Sequence, residues 1–215
     1  MSPGDVKFVD VNGDGYITPG NNTFGNMGDQ VVIGNTTPRY DFGFRLGAEY
    51  KGFDFAVFVQ GIGERKIWGD GQLAIPGYFA KEGGMPKVFA TDYWREDRTD
   101  AFYPRAWNYN GSNSSFVMRP QTKYMLDMAY VRIKNINFGY SVPTKVLNRM
   151  HLSRARIYVS LENMFTFDNL RGLPIDPETI SGSSMLLSNG NYNLGRTGTA
   201  NPTFKSASMG IQIGL

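Results

Sequence analysis

Apolar and polar residues alternate along several stretches of the chain, most extensively within residues 125–167. In the second half of this stretch Ile157, Val159 and Leu161 alternate with polar residues, the period of a β-strand with one apolar and one polar face. In the first half the alternation shifts by one residue at positions 134–135, which predicts a β-bulge. Each run has about ten residues or more, the length with which a tilted strand crosses a bilayer.

The clearest β-hairpin is predicted for residues 39–63. A two-residue turn separates two alternating runs and places Tyr50 opposite Phe53, so the apolar residues of both strands share one face. Aromatic rings at that level are expected where a strand leaves a bilayer. A soluble β-sandwich shows the same alternation, so the hairpin alone does not distinguish the two.

The last alternating run lies at the C-terminus, where Met209, Ile211 and Ile213 alternate with small and polar residues. An aliphatic outer face and a small, polar inner face are typical of a barrel strand. The sequence therefore predicts an all-β fold, an antiparallel meander of about five long strands. The predicted segments are a loop at 1–38, the hairpin at 39–63, a long loop at 64–124, a strand pair at 125–167, a second loop at 168–202 and a final strand at 203–215.

Composition and charge exclude several classes of protein. The net charge of +3 comes from 22 basic and 19 acidic residues spread along the chain, without the basic stripe of a nucleic-acid-binding protein. The absence of cysteine excludes disulfides and thiolate chemistry. No apolar run reaches the roughly 20 residues of a membrane helix, so only strands can span a membrane. Since no apolar leader follows Met1, the chain is expected to be either cytosolic or part of a longer protein.

The N-terminal segment contains half of a calcium-binding motif. Asp10, Asn12 and Asp14 stand at alternate positions before a glycine, as in the first half of an EF-hand loop, and the carbonyl of Tyr16 would add a further oxygen. The twelfth position is Asn21 rather than glutamate, and no helical pattern flanks the loop. Two interpretations remain open: a calcium site, or a plain turn held by its own side chains.

The first long loop is rich in aromatic and basic residues. We consider two roles for the cluster: contact with a sugar or a partner protein, or packing that holds a large loop together. The cluster consists of Tyr93, Trp94, Arg95, Tyr103, Arg105 and Trp107.

Candidate catalytic residues are sparse. The single histidine, His151, is expected to lie exposed in a turn, which argues against a Ser-His-Asp site. Asp176 and Glu178 lie two residues apart in the second loop and are expected to form a solvated turn rather than a catalytic pair. We therefore expect a protein that is not an enzyme.

Several stretches, in this order along the chain, resemble the C-terminal end of SusC/RagA-type TonB-dependent outer-membrane transporters. The similar stretches are DVNGDGYIT at 10–18, VIGNTTPRY at 32–40, YKGFDFAVFVQG at 50–61, YPR at 103–105, YVRIKNINFGYSVP at 130–143, RIYVSLENMFTF at 156–167 and GLPIDPE at 172–178.

This resemblance implies a plugged transmembrane barrel of about 22 strands, to which the chain contributes the last five strands and two long extracellular loops. It implies a location in the outer membrane of a Gram-negative bacterium and import of oligosaccharides or peptides. The implied partners are outer-membrane lipid, a SusD-like surface lipoprotein, and the TonB complex acting through an N-terminal part that this chain lacks.

The alternative is a soluble secreted β-domain that binds calcium and glycans through its loops. The two hypotheses differ in the surroundings of the apolar strand faces. A barrel wall exposes residues such as Phe44, Val57 and Ile211 to lipid, whereas a sandwich buries them against a second sheet.

Overall fold

A computed structural model describes residues 2–21, 23–69, 73–74, 86–106, 119–178 and 201–215. The long strands are β1 (Tyr40–Tyr50), β2 (Phe53–Gly63), β5 (Tyr130–Ser141), β6 (Arg154–Asp168) and β7 (Ser206–Gly214). The short elements are β3 (Lys66–Trp68), α1 (Lys87–Thr91), β4 (Met125–Asp127) and α2 (Thr144–Arg149).

The five long strands form one antiparallel sheet in the order β1-β2-β5-β6-β7, which confirms the predicted meander. The β1–β2 turn consists of Lys51 and Gly52, both with positive φ (47° and 87°). Positive φ at both central residues is typical of the two-residue turn whose twist matches that of its strands. Tyr50 and Phe53 pair across this turn, as predicted.

The predicted β-bulge is present in β5. The pairing of β5 with both of its neighbours shifts between Ile133 and Asn135, so Lys134 has no directly opposite partner. On the other side of this irregularity, Asn163 of β6 adopts a positive φ of 52°. The bulge keeps apolar residues on one face of β5 along its whole length.

The structure differs from the prediction at both ends of the strand pair. The first predicted strand is divided, because β4 pairs with β3 in a separate two-stranded sheet before β5 begins. Asp127 ends β4: its carboxylate lies 2.8 Å from the Lys66 ammonium and accepts a hydrogen bond from the Ala129 amide. The predicted polar turn between β5 and β6 contains the helix α2, whose Leu147 is buried.

The connections place the long loops at one end of the sheet and the short turns at the other. We call these the loop end and the short-turn end. The hydrophobic core lies at the loop end, beyond the long strands. Its members are Val6, Ile67, Ala74, Phe89, Tyr103, Tyr124, Leu126, Met128, Leu170, Leu173 and Ile175. In the described part of the chain, no helix has the length and hydropathy needed to cross a bilayer.

Candidate functional site

The cross-strand register places apolar side chains in continuous rows across the five-stranded sheet. Two central rows are Leu46-Val57-Ile136-Leu161-Ala207 and Ala48-Phe55-Phe138-Val159-Met209. We call this side the apolar face. Leu46 is 67% exposed and Met209 77% exposed. Water-soluble monomers rarely expose contiguous apolar patches larger than a few hundred Å².

The soluble alternative required these residues to be buried against a second sheet. Among the described residues the only other sheet is the two-stranded β3–β4 pair, and the apolar face remains exposed. The described residues therefore do not form the sandwich of the alternative hypothesis, and the predicted single amphipathic sheet is confirmed.

The opposite side, the polar face, carries small and hydrogen-bonding residues. One central row consists of Gly47, Ala56, Asn137, Ser160 and Ser208. Asn135 lies next to this row on β5, and its side-chain amide donates a hydrogen bond to the hydroxyl of Ser160, which belongs to the row, at 3.1 Å. A polar interior opposite a lipid-facing apolar exterior is the arrangement of a membrane barrel strand.

An ion pair crosses one strand of the polar face. Arg156 Nε of β6 lies 2.9 Å from Asp54 Oδ1 of β2, although β5 lies between these two strands. The intervening residue is Gly139, which pairs with Asp54 in the register. A Cβ at this position would lie 2.5 Å from both an Arg156 guanidinium nitrogen and Asp54 Oδ1. Glycine therefore leaves the space in which the two side chains meet.

A buried ion cluster attaches the second long loop to the polar face. Arg132 of β5 lies 2.6 Å from Asp176 and 2.5 Å from Glu178, and its side chain is only 5% exposed. The Thr166 and Thr203 hydroxyls accept further hydrogen bonds from the same guanidinium. At the bulge, the Lys134 ammonium lies 2.8 Å from Glu178.

The prediction that Asp176 and Glu178 form a solvated turn is wrong for this reason. Burial acts to raise the pKa of the Asp176 carboxyl, but hydrogen bonds from Arg132 and from the amides of Thr203 and Glu178 lower it to about 2. The two carboxylates hold the loop in place by bonding to cations of β5. The alternating pattern predicts that Arg132 lies on the polar face of its strand. No feature of the sequence predicts its contact with Asp176, which lies 44 residues further along the chain.

The aromatic and basic cluster of the first loop is largely engaged within the loop end. Tyr103 is 2% exposed and belongs to the core. Trp94 lies against Gly4, where an added Cβ would come within 2.5 Å of the ring. Arg105 Nε lies 2.8 Å from an Asp5 oxygen.

Two members of the cluster, Tyr93 and Arg95, are at least partly exposed to solvent. Tyr93 is half-buried beneath the Arg98 guanidinium, and exposed Arg95 forms an ion pair with Asp97. Trp107 lies outside the described residues. A ligand or partner role for the cluster stays a prediction.

A cleft of about 530 Å³ opens at the loop end between the two long loops. Lys123 and Arg171 lie at its lining, and each also faces an aromatic ring: Lys123 that of Tyr124 at 5.7 Å, Arg171 that of Phe102 at 4.1 Å. The Tyr103 hydroxyl has no hydrogen-bond partner in the described part of the chain. Burial raises the pKa of Tyr103 to about 12, although nearby Arg171 opposes the increase. Rings combined with cations suit contact with a polar solute.

The calcium-like segment forms a loop held by its own side chains. Asp10 accepts hydrogen bonds from the amides of Gly13 (2.6 Å) and Gly15 (2.8 Å), and Asp14 accepts one from the amide of Tyr16. Both glycines have positive φ, at 76° and 84°. Asn12 bonds to Asp14 within the same turn.

This geometry agrees with the plain-turn interpretation and leaves the calcium site a prediction. The candidate ligands are two carboxylates, the Asn12 amide oxygen and the Tyr16 carbonyl. No group of three or more acidic, histidine or cysteine side chains placed to hold a metal occurs in the described ranges. The Asp29 carboxylate accepts hydrogen bonds from the amides of Thr18 and Val11, near the two ends of this loop. These hydrogen bonds lower the pKa of the Asp29 carboxyl.

One sheet with an apolar exposed face, a polar face, long folded connections at one end and short turns at the other has the architecture of a transmembrane β-barrel wall. Comparison with known proteins confirms the particular resemblance predicted from the sequence, to SusC/RagA-type TonB-dependent transporters. No family model matches the chain.

Among curated proteins, the chain is 29% identical to TonB-dependent receptor P3 of Formosa agariphila, over 98% of this chain and 19% of that receptor. It is 27% identical to TonB-dependent receptor P26 of the same organism, over 92% of this chain and 17% of that receptor. The chain thus spans about a fifth of the length of these relatives. They are named as receptors and not as enzymes.

Among solved structures, the RagAB peptide importer in the "open-open" state matches 86% of this chain with a TM-score of 0.57 and 22% identity. The RagAB peptide transporter matches the same share with a TM-score of 0.56 and 23% identity. In each case 18% of the solved chain is covered. These matches establish the fold.

Proposed function

We propose that this chain supplies part of the wall and two extracellular loops of an active importer in the outer membrane of a Gram-negative bacterium. The observation that carries the proposal is the continuous, exposed apolar face of one five-stranded sheet whose other face is polar. Such a surface is stable when lipid covers the apolar side and water or a polar plug covers the other.

The loop end suits the extracellular side of such an importer. In bacterial outer-membrane barrels the long loops are extracellular and the short turns periplasmic. Here the described parts of the long connections pack around a hydrophobic core, and residues 176–178 are attached to the polar face through Arg132. A folded surface of this kind offers a SusD-like lipoprotein a fixed docking position.

The imported solutes proposed are peptides or oligosaccharides. The matched solved structures are described as a peptide importer and a peptide transporter, which supports the first class. The cleft between the two loops, with its rings and cations, suits either class. Energy would come from the TonB complex, acting through segments other than these strands.

The orientation of the wall can be tested by spin labelling, because the chain has no cysteine. Single cysteines would be placed at Phe55 and Val57 on the apolar face, and at Ala56 and Gln60 on the polar face. In lipid bilayers, labels on the apolar face should collide with oxygen, which is concentrated in hydrocarbon. Labels on the polar face should collide with a water-soluble nickel complex. Equal accessibility on both faces contradicts the proposal.

The importing activity is tested in a polypeptide in which this chain follows a plug and the preceding strands. Uptake of labelled peptides and oligosaccharides should require TonB, and the class that enters identifies the solute. Retention of a surface lipoprotein during purification should depend on the loop end. Uptake that continues without TonB would contradict active import.

A further inference from the structure

The chain's excess positive charge is concentrated at the short-turn end, which comprises residues 48–54, 140–157 and 210–215. These segments hold five of the 22 basic residues and two of the 19 acidic residues. The rest of the chain therefore holds 17 of each, and the formal net charge of +3 belongs entirely to this end.

The fold gathers these charges on one rim of the sheet. The Ser141 amide donates to the Gly52 carbonyl at 2.7 Å, which joins the β1–β2 turn to the end of β5. The Ser153 amide donates to the Gly214 carbonyl at 3.0 Å, which joins the α2 connection to the end of β7. The basic residues of the β1–β2 turn and of the α2 connection therefore lie at the same end of the sheet.

Three of the basic residues are available for an external partner: Lys51, Lys145 and Arg149, which we call the basic rim. All three are exposed, and no ion pair engages them within the part of the chain that the structure describes. The other two, Arg154 and Arg156, lie on the polar face of β6, where Arg156 is paired with Asp54.

The basic rim borders apolar surface. On and beside α2, Val146 is 45% exposed and Met150 59% exposed, next to Lys145 and Arg149 in the sequence. The last complete row of the apolar face lies at the same end and contains three aromatic rings. This row is Tyr50, Phe53, Tyr140, Ile157 and Ile211.

We propose that the basic rim binds the phosphate groups of anionic phospholipids at the membrane surface on the short-turn side. The proposal rests on the proposed function, since it requires the apolar face to lie in lipid. Three features favour a phospholipid surface over a free anion: positive charge, adjoining aromatic rings, and exposed aliphatic side chains at the same level. Headgroups and the upper acyl chains present the complementary chemistry.

The test measures which lipids contact the reconstituted 215-residue chain. Phosphatidylcholine bilayers containing the protein receive a trace of spin-labelled phosphatidylglycerol or spin-labelled phosphatidylcholine. The motionally restricted fraction of each label gives its relative association with the protein. Phosphatidylglycerol should associate roughly threefold more strongly at low salt, and this preference should fall at high salt.

Two variants of equal charge provide the control. Lys51→Gln/Lys145→Gln/Arg149→Gln removes three charges from the rim and should abolish the preference. Lys7→Gln/Lys87→Gln/Lys205→Gln removes three exposed charges elsewhere and should leave it unchanged. Equal losses in the two variants, or no preference in the unmodified chain, overturn the proposal.

Two further outcomes separate the alternatives. If inorganic phosphate at constant ionic strength removes the preference, the rim is a site for free phosphate, and the lipid assignment is overturned. If neither spin label shows a restricted fraction, the wall does not contact lipid and the proposed function itself fails. A restricted fraction without preference removes only the present inference.

Discussion

At the scale of single residues, Arg132 has the most buried charge among the ion pairs of the described chain. Its guanidinium bonds to Asp176 and Glu178, and the side chains of Arg132 and Asp176 are 5% and 7% exposed. Losing one partner of such a pair leaves a buried charge without compensation, which is strongly destabilising. The position of the described part of the second loop, which ends at Glu178, therefore depends on this contact, and the stability of the contact depends on pH.

The pH dependence follows from the lowered pKa of Asp176. Its carboxyl has a pKa of about 2 in the folded chain and an ordinary value of 3.8 when unfolded. The stabilisation is thus complete above about pH 4 and is lost as pH falls towards 2; it amounts to about 2 kcal/mol. The free energy of unfolding of the reconstituted chain, determined by denaturant titration between about pH 4 and pH 2, measures this loss of stability.

Asp176→Asn should be less stable at neutral pH and should lose this part of the acid dependence. Asp100→Asn, at an exposed position, serves as the control and should keep it. An acid profile that is identical in Asp176→Asn and the unmodified chain would show that the cluster does not stabilise the fold.

The calcium interpretation of the N-terminal loop gives a second prediction at this scale. Binding through Asp10, Asn12 and Asp14 should release or absorb heat on titration and raise the melting temperature at millimolar calcium, a range typical of weak extracellular sites. Asp10→Asn/Asp14→Asn should remove both effects. If calorimetry detects no heat and melting is unchanged, the loop is a plain turn.

At the scale of elements, the contact between β2 and β6 depends on a glycine of the strand between them. Gly139→Ala would place a methyl group against the Asp54–Arg156 pair and should cost about 1–3 kcal/mol. Gly47→Ala is a matched control, because a Cβ there meets only the Phe55 carbonyl at 3.6 Å. Equal stability of the two variants in denaturant unfolding would show that the ion pair has room beside a side chain.

The two faces of β2 should respond differently to the same new charge. Val57→Arg places a guanidinium on the apolar face and should cost about 2–4 kcal/mol near the middle of the bilayer. Ala56→Arg places it on the polar face, opposite Gly47, and should cost much less. The measurement is the free energy of unfolding from lipid vesicles, and equal costs would contradict the assignment of the faces.

At the scale of the whole molecule, the sheet leaves β1 and β7 as its two edges. Five strands spaced about 4.8 Å apart make a ribbon about 24 Å wide, and even about eight strands close only around their own side chains. The unpaired edges are sites for aggregation or for pairing with further strands. The 215-residue chain alone should therefore form no pore.

Conductance and solute uptake of liposomes containing the chain test this expectation. Both should stay at the level of protein-free liposomes. A stable monomeric channel would show that the five strands close without additional strands, contrary to the open sheet described here.

The sequence by itself determined the long strands, the hairpin, the β-bulge and the apolar face. Each depends on residues that are neighbours in the chain: alternation with period two, a turn containing Gly52, and a one-residue shift at Lys134. Local backbone geometry converts these patterns into strands whichever partners they later meet. The resemblance to TonB-dependent transporters is likewise carried by short contiguous stretches, three along the strands β2, β5 and β6 and four in the loops.

Only the tertiary structure decided how the long loops fold and how they are attached. The loop-end core joins Val6, Phe89, Tyr124 and Leu173, which lie far apart in sequence and follow no common period. Arg132 meets Asp176 for the same reason, after the chain has traversed β6 and turned back. Such contacts depend on which segments meet in space, and alternation along one strand carries no information about a partner beyond the next turn.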